Sequence, residues 1–312
     1  MRALFLAAVL SLPAAAQPPL RPEPLTPVED AFAAGRFADV VRALQDGGVS
    51  RLPRRSRARA YDLLGSSHER LGQTEMALRV YQLAQGLYPK DINILSGLAG
   101  ILHRNGLDQR AQAHYERILA IHPNNSAANR GLAEIRRSQG LLDESAAHFE
   151  RALDETKNDA GLWRDYGETL AEEKLLDKAA DAFRRSLAIA RGPDALLDLA
   201  LLERRRGDRA EASRLLDEAE RSQPEPALAG LRALWLLEDG QTARASAAAE
   251  AALRADALDP LARWVRASVA IRSGNLPAAR ADLEAAAAQQ EQPFIAQISA
   301  AMLEQIAQGS RR

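Results

Sequence analysis

The sequence contains no cysteine. Disulfides, thiolate zinc sites and cysteine nucleophiles are excluded together. Aromatic residues make up only 4% of the 312 positions. That disfavours sandwiches and doubly wound sheets, whose strands draw on aromatic and β-branched residues. No charge of one sign dominates: 41 Lys and Arg stand against 42 Asp and Glu, a formal net charge of -1. The electrostatic footprint of a nucleic-acid or anionic-membrane binder is missing. No apolar run approaches the roughly 20 residues that cross a bilayer. What remains is rich in Ala, Leu, Arg and Glu, a composition that leans to helix.

The amino terminus has its own pattern. Met1-Arg2 is a short positive start, Ala3 to Leu12 is apolar, and Ala14-Ala15-Ala16 offers a small-residue cleavage site before Gln17. The expectation is a signal peptide over residues 1–16, without a lipid anchor because no Cys follows, and hence a secreted, periplasmic protein if the source is Gram-negative. Residues 17–27 carry Pro18, Pro19, Pro22, Pro24 and Pro27 and read as an extended linker.

From Ala58 onward one pattern repeats. Tyr61, Leu64-Gly65, Gly72, Ala77, Tyr81 and Pro89 are followed 34 positions later by Leu95, Leu98-Ala99, Gly106, Ala111, Tyr115 and Pro123. The small residue then recurs at Ser145, Ala179, Ala212, Ala245 and Ala279, in steps of 33 or 34. A bulky partner four positions on shares its helix face: Tyr81, Tyr115, Phe149, Phe183, Leu216 and Leu283, with Ala249 as the exception. The turn residue is Gly72, Gly106, Gly140, Gly207, Gly240 and Gly274, with Lys174 breaking the series. A left-handed residue commonly ends a helix, and glycine adopts that conformation without strain.

This period and pattern resemble the tetratricopeptide repeat family. The resemblance implies an all-α fold, a right-handed superhelical solenoid of helix–turn–helix units. Seven repeats are expected over 58–293, at 58–91, 92–125, 126–159, 160–192, 193–225, 226–259 and 260–293. A degenerate hairpin at 28–57, turning at Gly35, precedes them, and a capping helix with its tail at 294–312 closes the array. Arg51, Arg54, Arg55, Arg57 and Arg59 cluster at a helix start. There they oppose the helix dipole, which leaves a phosphate or acidic partner as an alternative to plain solvation.

No catalytic constellation stands out. The five histidines, His68, His103, His114, His122 and His148, offer at best a pair of equivalent positions in His114 and His148. A metal normally needs three or four ligands. No nucleophile elbow, phosphate loop or dinucleotide fingerprint occurs. The expectation is no enzyme, no catalytic residue, no cofactor and no metal.

In the resembling family the first helices line a concave groove. Projected by repeat position, this chain's groove is polar early, with Arg59, Asp62, Ser66, Glu69, Asn93, Ser96 and His103, then Arg130, Glu134, Arg137, Arg164, Asp165 and Glu168. It turns apolar late, with Leu197, Leu201, Leu231, Leu234, Leu237, Trp264, Val265 and Ile271 around Arg204. An apolar stretch of this kind either receives a partner's helix or peptide or is buried by the chain itself, and the amphipathic C-terminal segment favours self-burial. The family's carboxylate clamp for chaperone tails is missing, because Asp62, Ser66 and Gly97 stand at its positions. The resemblance therefore implies a protein or peptide partner and a scaffold role in envelope assembly. The alternatives are a polysaccharide-binding component, with Trp264 as its platform, and a site for catalysis formed across repeats.

Overall fold

The computed structural model describes residues 25–289 and 292–309; the expected signal segment lies outside them. Eighteen α-helices and no strand occur among the described residues. They run α1 (Thr26–Ala33), α2 (Phe37–Leu44), the single turn α3 (Gly48–Arg51), α4 (Arg54–Arg70), α5 (Thr74–Leu87), α6 (Ile92–Arg104), α7 (Asp108–Ile121), α8 (Ser126–Ser138) and α9 (Leu142–Glu155). They continue as α10 (Ala160–Glu172), α11 (Leu176–Ile189), α12 (Pro193–Arg206), α13 (Arg209–Ser222), α14 (Pro226–Glu238), α15 (Thr242–Ala255), α16 (Pro260–Arg272), α17 (Leu276–Ala287) and α18 (Pro293–Gly309). The chain divides into two compact units, 1–131 and 132–312.

The expected linker ends early. Pro27 lies in the first turn of α1, where its missing N–H costs nothing. Leu25 is already core, packed with Val28, Val40, Leu44, Leu63 and Leu64. The odd arginine cluster has a structural explanation. Arg57 Nε donates to Leu52 O at 2.9 Å and its Nη2 to Ser50 O at 2.7 Å, so the cation satisfies carbonyls at the end of α3. Arg59 pairs with Asp62 at 2.8 Å and with Glu29 of α1 at 3.4 Å.

Consecutive helices pair as hairpins, α4 with α5, α6 with α7, α10 with α11, α12 with α13, α14 with α15 and α16 with α17. Each hairpin is too thin to bury its own apolar stripe and borrows cover from its neighbours. The landmark residues Ala77, Ala111, Ser145, Ala179, Ala212, Ala245 and Ala279 are all fully buried. Repeat ends that the sequence reading passed over are capping residues. Asp91 accepts from Asn93 and Ile94 N–H at 3.1 Å, Asn125 from Ala128 at 2.9 Å, and Asp159 from Leu162 at 3.0 Å. The turn glycines all have positive φ, and Lys174, which replaces one, is held at φ 67°.

In the sixth repeat, Asp259 caps α16 through Oδ1, which accepts from Leu261 and Ala262 N–H. Its Oδ2 is buried without a partner and lies where a side chain on Gly230 would sit. Burial pushes the Asp259 carboxyl above its ordinary value, with Asp256 adding to the rise and the two N–H groups opposing it. α18 packs on α17 and α16. It occupies the place a next first helix would take, bringing Met302, Leu303 and Ile306 to Ala267, Ala279 and Leu283.

Three stability outcomes follow. Lys174→Gly relieves the left-handed strain and raises stability by about 0.5–1 kcal/mol, after the added chain entropy of glycine is subtracted; the midpoint of urea unfolding checks it. Gly97→Ala puts a Cβ 2.2 Å from Tyr81 Cζ and lowers stability by about 1–3 kcal/mol, read on the same curve. Asp259 has a folded pKa above its unfolded one, so its contribution is full below about pH 4 and is lost as pH rises through the folded value. Asp259→Asn keeps the cap, raises thermal stability at pH 7 and flattens the fall in stability on the alkaline side of pH 4; melting curves across pH measure both.

Candidate functional site

The first-helix face of each unit has a different character. In unit 1, α4 and α6 form a shallow cleft of about 300 Å³ lined by Asp62, Ser66, Glu69, Asn93, Ser96 and Arg104 around Gly97 and Gly100. Five of these were projected from repeat position. The cleft exists because Tyr81 comes up from α5 between the two first helices. Its ring lies against Gly65 and Gly97, where an added Cβ would be 2.6 and 2.2 Å from it. Its hydroxyl meets Ser66 Oγ at 2.8 Å. Burial raises the Tyr81 phenol well above its ordinary value, so it stays a neutral hydrogen-bonding group. Burial also raises the Asp62 carboxyl, against the pull of Arg59. Arg104 reaches back to Glu69 at 2.5 Å.

In unit 2 the projected charges assemble into a ladder. Arg137 Nη1 donates to Glu168 Oε2 at 2.7 Å. Glu168 also meets Arg164 at 3.2 Å, and Arg164 Nε donates to Asp198 at 2.5 Å. Desolvation nonetheless leaves Asp198 raised. Three first helices, α8, α10 and α12, are thus stitched by one alternating row. Within unit 2, Glu134 and Asp165 are half-buried; Arg130, in unit 1, is also half-buried.

The late apolar stretch is largely covered by the chain itself. Leu237 is core, 4% exposed, and packs with Ala245, Ala249 and Ala252. Val265 is fully buried. Leu231 and Leu234 are half-buried against the core, and so is Trp264, whose Nε1 has no hydrogen-bond partner. Small alanines on α15 let these large side chains turn inward. Nor does α18 fold into the α12 and α14 face; it stacks on the last hairpin. The apolar residues are therefore packing, with Leu201 left exposed.

The histidines hold turns and neighbours. His68 Nδ1 meets Gln73 Oε1 at 2.7 Å, His103 Nδ1 meets Asp108 Oδ1 at 2.7 Å, and His114 Nδ1 meets Gln85 Nε2 at 3.2 Å. Burial lowers the pKa of His114 and of His148. Among the described residues no three metal-ligating side chains gather, and no helix is long and apolar enough to cross a membrane.

A second concavity was not foreseen. In unit 2, α9, α11 and the start of α10 enclose about 760 Å³ around Trp163 and Tyr166. Tyr166 Oη donates to Glu150 at 2.7 Å, and Arg185 stacks 4.8 Å above the Trp163 ring. The signal available in the sequence was Trp163 itself, the sole tryptophan among the four repeats that follow the pattern most closely.

No curated protein matches the chain. Among solved structures it is similar to a tetratricopeptide repeat protein from Parabacteroides merdae ATCC 43184, at 16% identity and a TM-score of 0.55, covering 79% of this chain and 97% of that one. It is also similar to PilF of Pseudomonas aeruginosa, at 15% identity and a TM-score of 0.55, covering 78% and 97%. Both likenesses concern the fold. A tetratricopeptide repeat profile matches residues 104–161, 143–195 and 231–294, and a second matches 58–91. With half its length under the first profile alone and its hairpins stacked as the repeat demands, the chain belongs to the tetratricopeptide repeat family.

Proposed function

We propose that the chain is a cell-envelope scaffold that holds an extended segment of a partner protein on its first-helix face. Tetratricopeptide arrays generally act as non-catalytic protein-interaction scaffolds. The observation that carries the reading is the α4–α6 cleft. The Tyr81 ring fills the space a Gly97 side chain would take and forms the floor, and Gly100 adds no side chain of its own beside it, which leaves room for a main chain to approach. Asn93 and Ser96 stand beside that floor with uncharged donors and acceptors of the kind that pair with peptide groups. The flanking charges are already neutralised, Asp62 by Arg59 and Glu69 by Arg104. A segment recognised by backbone and shape fits this better than a strongly charged one. In unit 2 the row Arg137, Glu168, Arg164 is likewise paired within itself, and offers a partner less. The envelope setting is supported by the signal-like pattern of Met1 to Ala16 and the proline-rich stretch after it.

The test is site-specific photocrosslinking from position 96 in cells of a Gram-negative host. A discrete protein adduct is expected in the envelope fraction, weakened about tenfold or more when Gly100→Leu fills the cleft, with helix content unchanged by circular dichroism. Equal adduct yield in Gly100→Leu removes the cleft from the reading. A mature chain that keeps Met1 and stays in the cytoplasm removes the envelope setting.

A further inference from the structure

The cleft on the second-helix side of unit 2 has a different chemistry from the first-helix face. Its aromatic floor is fixed. Trp163 Nε1 donates to Lys157 O at 2.9 Å, which sets the edge of the indole, and the Tyr166 ring stands 6.1 Å from it, tilted by 56°. The Tyr166 hydroxyl is held by Glu150. Leu153 and Ile189 extend the apolar wall, Ile189 being 40% exposed. The volume, about 760 Å³, lies in the range of small-ligand sites, roughly 300–1,000 Å³.

The rim is the second observation. Asp154, Asn158 and Arg185 line the cleft, and none has a hydrogen-bond or ion-pair partner among the described residues. Arg185 only stacks on Trp163. Elsewhere in this unit the arginines are largely engaged. Arg164, Arg184, Arg191, Arg204, Arg206, Arg214, Arg232 and Arg266 all pair with carboxylates. Here one carboxylate, one amide and one guanidinium without an ion pair gather around a fixed indole.

We propose that this cleft binds a short stretch of an uncharged glycan. A sugar ring presents an apolar C–H face, which suits the exposed Ile189 surface and the Trp163 indole once Arg185 turns from the ring to the sugar hydroxyls. Its edge carries neighbouring hydroxyls that donate and accept at once. Flat groups answer them in pairs: Asp154 accepts, Arg185 donates, and Asn158 does both. The charges cancel, with Glu150 and Asp154 against Lys157 and Arg185. A phosphate or a uronic acid would meet as many carboxylates as cations, so the balance favours a neutral chain. The sequence had suggested Trp264 as a sugar platform. Trp163 is half-buried like Trp264, but it lines this cleft and takes that role.

This site is on another unit and another face than the peptide cleft, so the two readings fail independently. The experiment is isothermal titration of the full chain with uncharged hexasaccharides of glucose and N-acetylglucosamine, chosen after a screen on a neutral glycan array, with an oligogalacturonate as the acidic comparator. At least one neutral oligosaccharide is expected to bind with a dissociation constant of about 1 mM or below, and Asp154→Ala and Asn158→Ala to weaken it about tenfold each. Both residues are exposed, so melting curves stay unchanged. Trp163→Leu abolishes the signal, and Gly100→Leu leaves it intact. The proposal is overturned by no neutral binder on the array, by equal affinity for the acidic comparator, by binding that survives both rim substitutions, or by a peptide that displaces the glycan.

Discussion

The fold depends on aromatic rings seated against glycine backbone. Tyr81 of α5 fits between Gly65 of its own hairpin and Gly97 of the next, and Tyr115 presses on Gly131 in the same way. In unit 2, Phe183 lies on Gly167. At each contact a Cβ on the glycine would fall 2.2 to 2.7 Å from the ring, well inside van der Waals distance. The missing methyl is therefore what lets the ring pass between helices, and the ring is what sets their separation. The cleft in unit 1 is a by-product of the same contact: with Tyr81 beneath it, the α4–α6 surface has a floor and two walls.

Toward the carboxyl end the rings disappear and the packing changes in kind. Leu216, Ala249 and Leu283 stand where aromatic residues stood, and Ala245, Ala249, Ala252 and Ala262 have no exposed surface at all. Bulk comes from the first helices instead, through Trp235, Leu237 and Trp264. Charged pairs then fix the register that rings fixed earlier. Glu203, 3% exposed, receives Arg184 at 2.6 Å and Arg206 at 2.9 Å. Asp282 receives both arms of Arg266, at 2.7 and 2.6 Å. Exposed ion pairs of this kind stabilise by little, but removing one partner of a buried pair leaves a charge in low dielectric, which is costly. Their effect here is to favour the registers in which Glu203 and Asp282 are not stranded.

Repetition explains what could be read in advance. Turn glycines, buried alanines and the rings four residues beyond them answer to geometry inside one hairpin, so they recur at fixed spacing; even Lys174 is legible as the residue that takes a glycine's place in that series. The caps Asp91, Asn125 and Asp159 obeyed the same period and could have been read from their residue type alone. Projection failed where a position's fate depends on its neighbour's size. Leu237 and Val265 occupy groove positions by count, yet the alanines of α15 leave space that draws them into the core. The charged half of the projection found its residues but not their state: Arg137, Glu168 and Arg164 are joined to one another, a fact that depends on helix spacing rather than on sequence period.

The same reasoning decides which surface groups are available to a partner. A charge already matched across two helices offers a ligand only the small difference between two pairings, because the old bond must be given up for the new. An unmatched group makes its new bond at the cost of water alone. Most arginines of unit 2 belong to the first class, so an array with many exposed charges has few that can discriminate between ligands. Asp154 and Asn158 belong to the second, with Arg185 held only by its stack on a ring whose N–H Lys157 fixes. Recognition on this scaffold is therefore expected where the repeat leaves polar groups over, at Asn93 and Ser96 beside Tyr81 and at the rim beside Trp163, and not along the paired ladder.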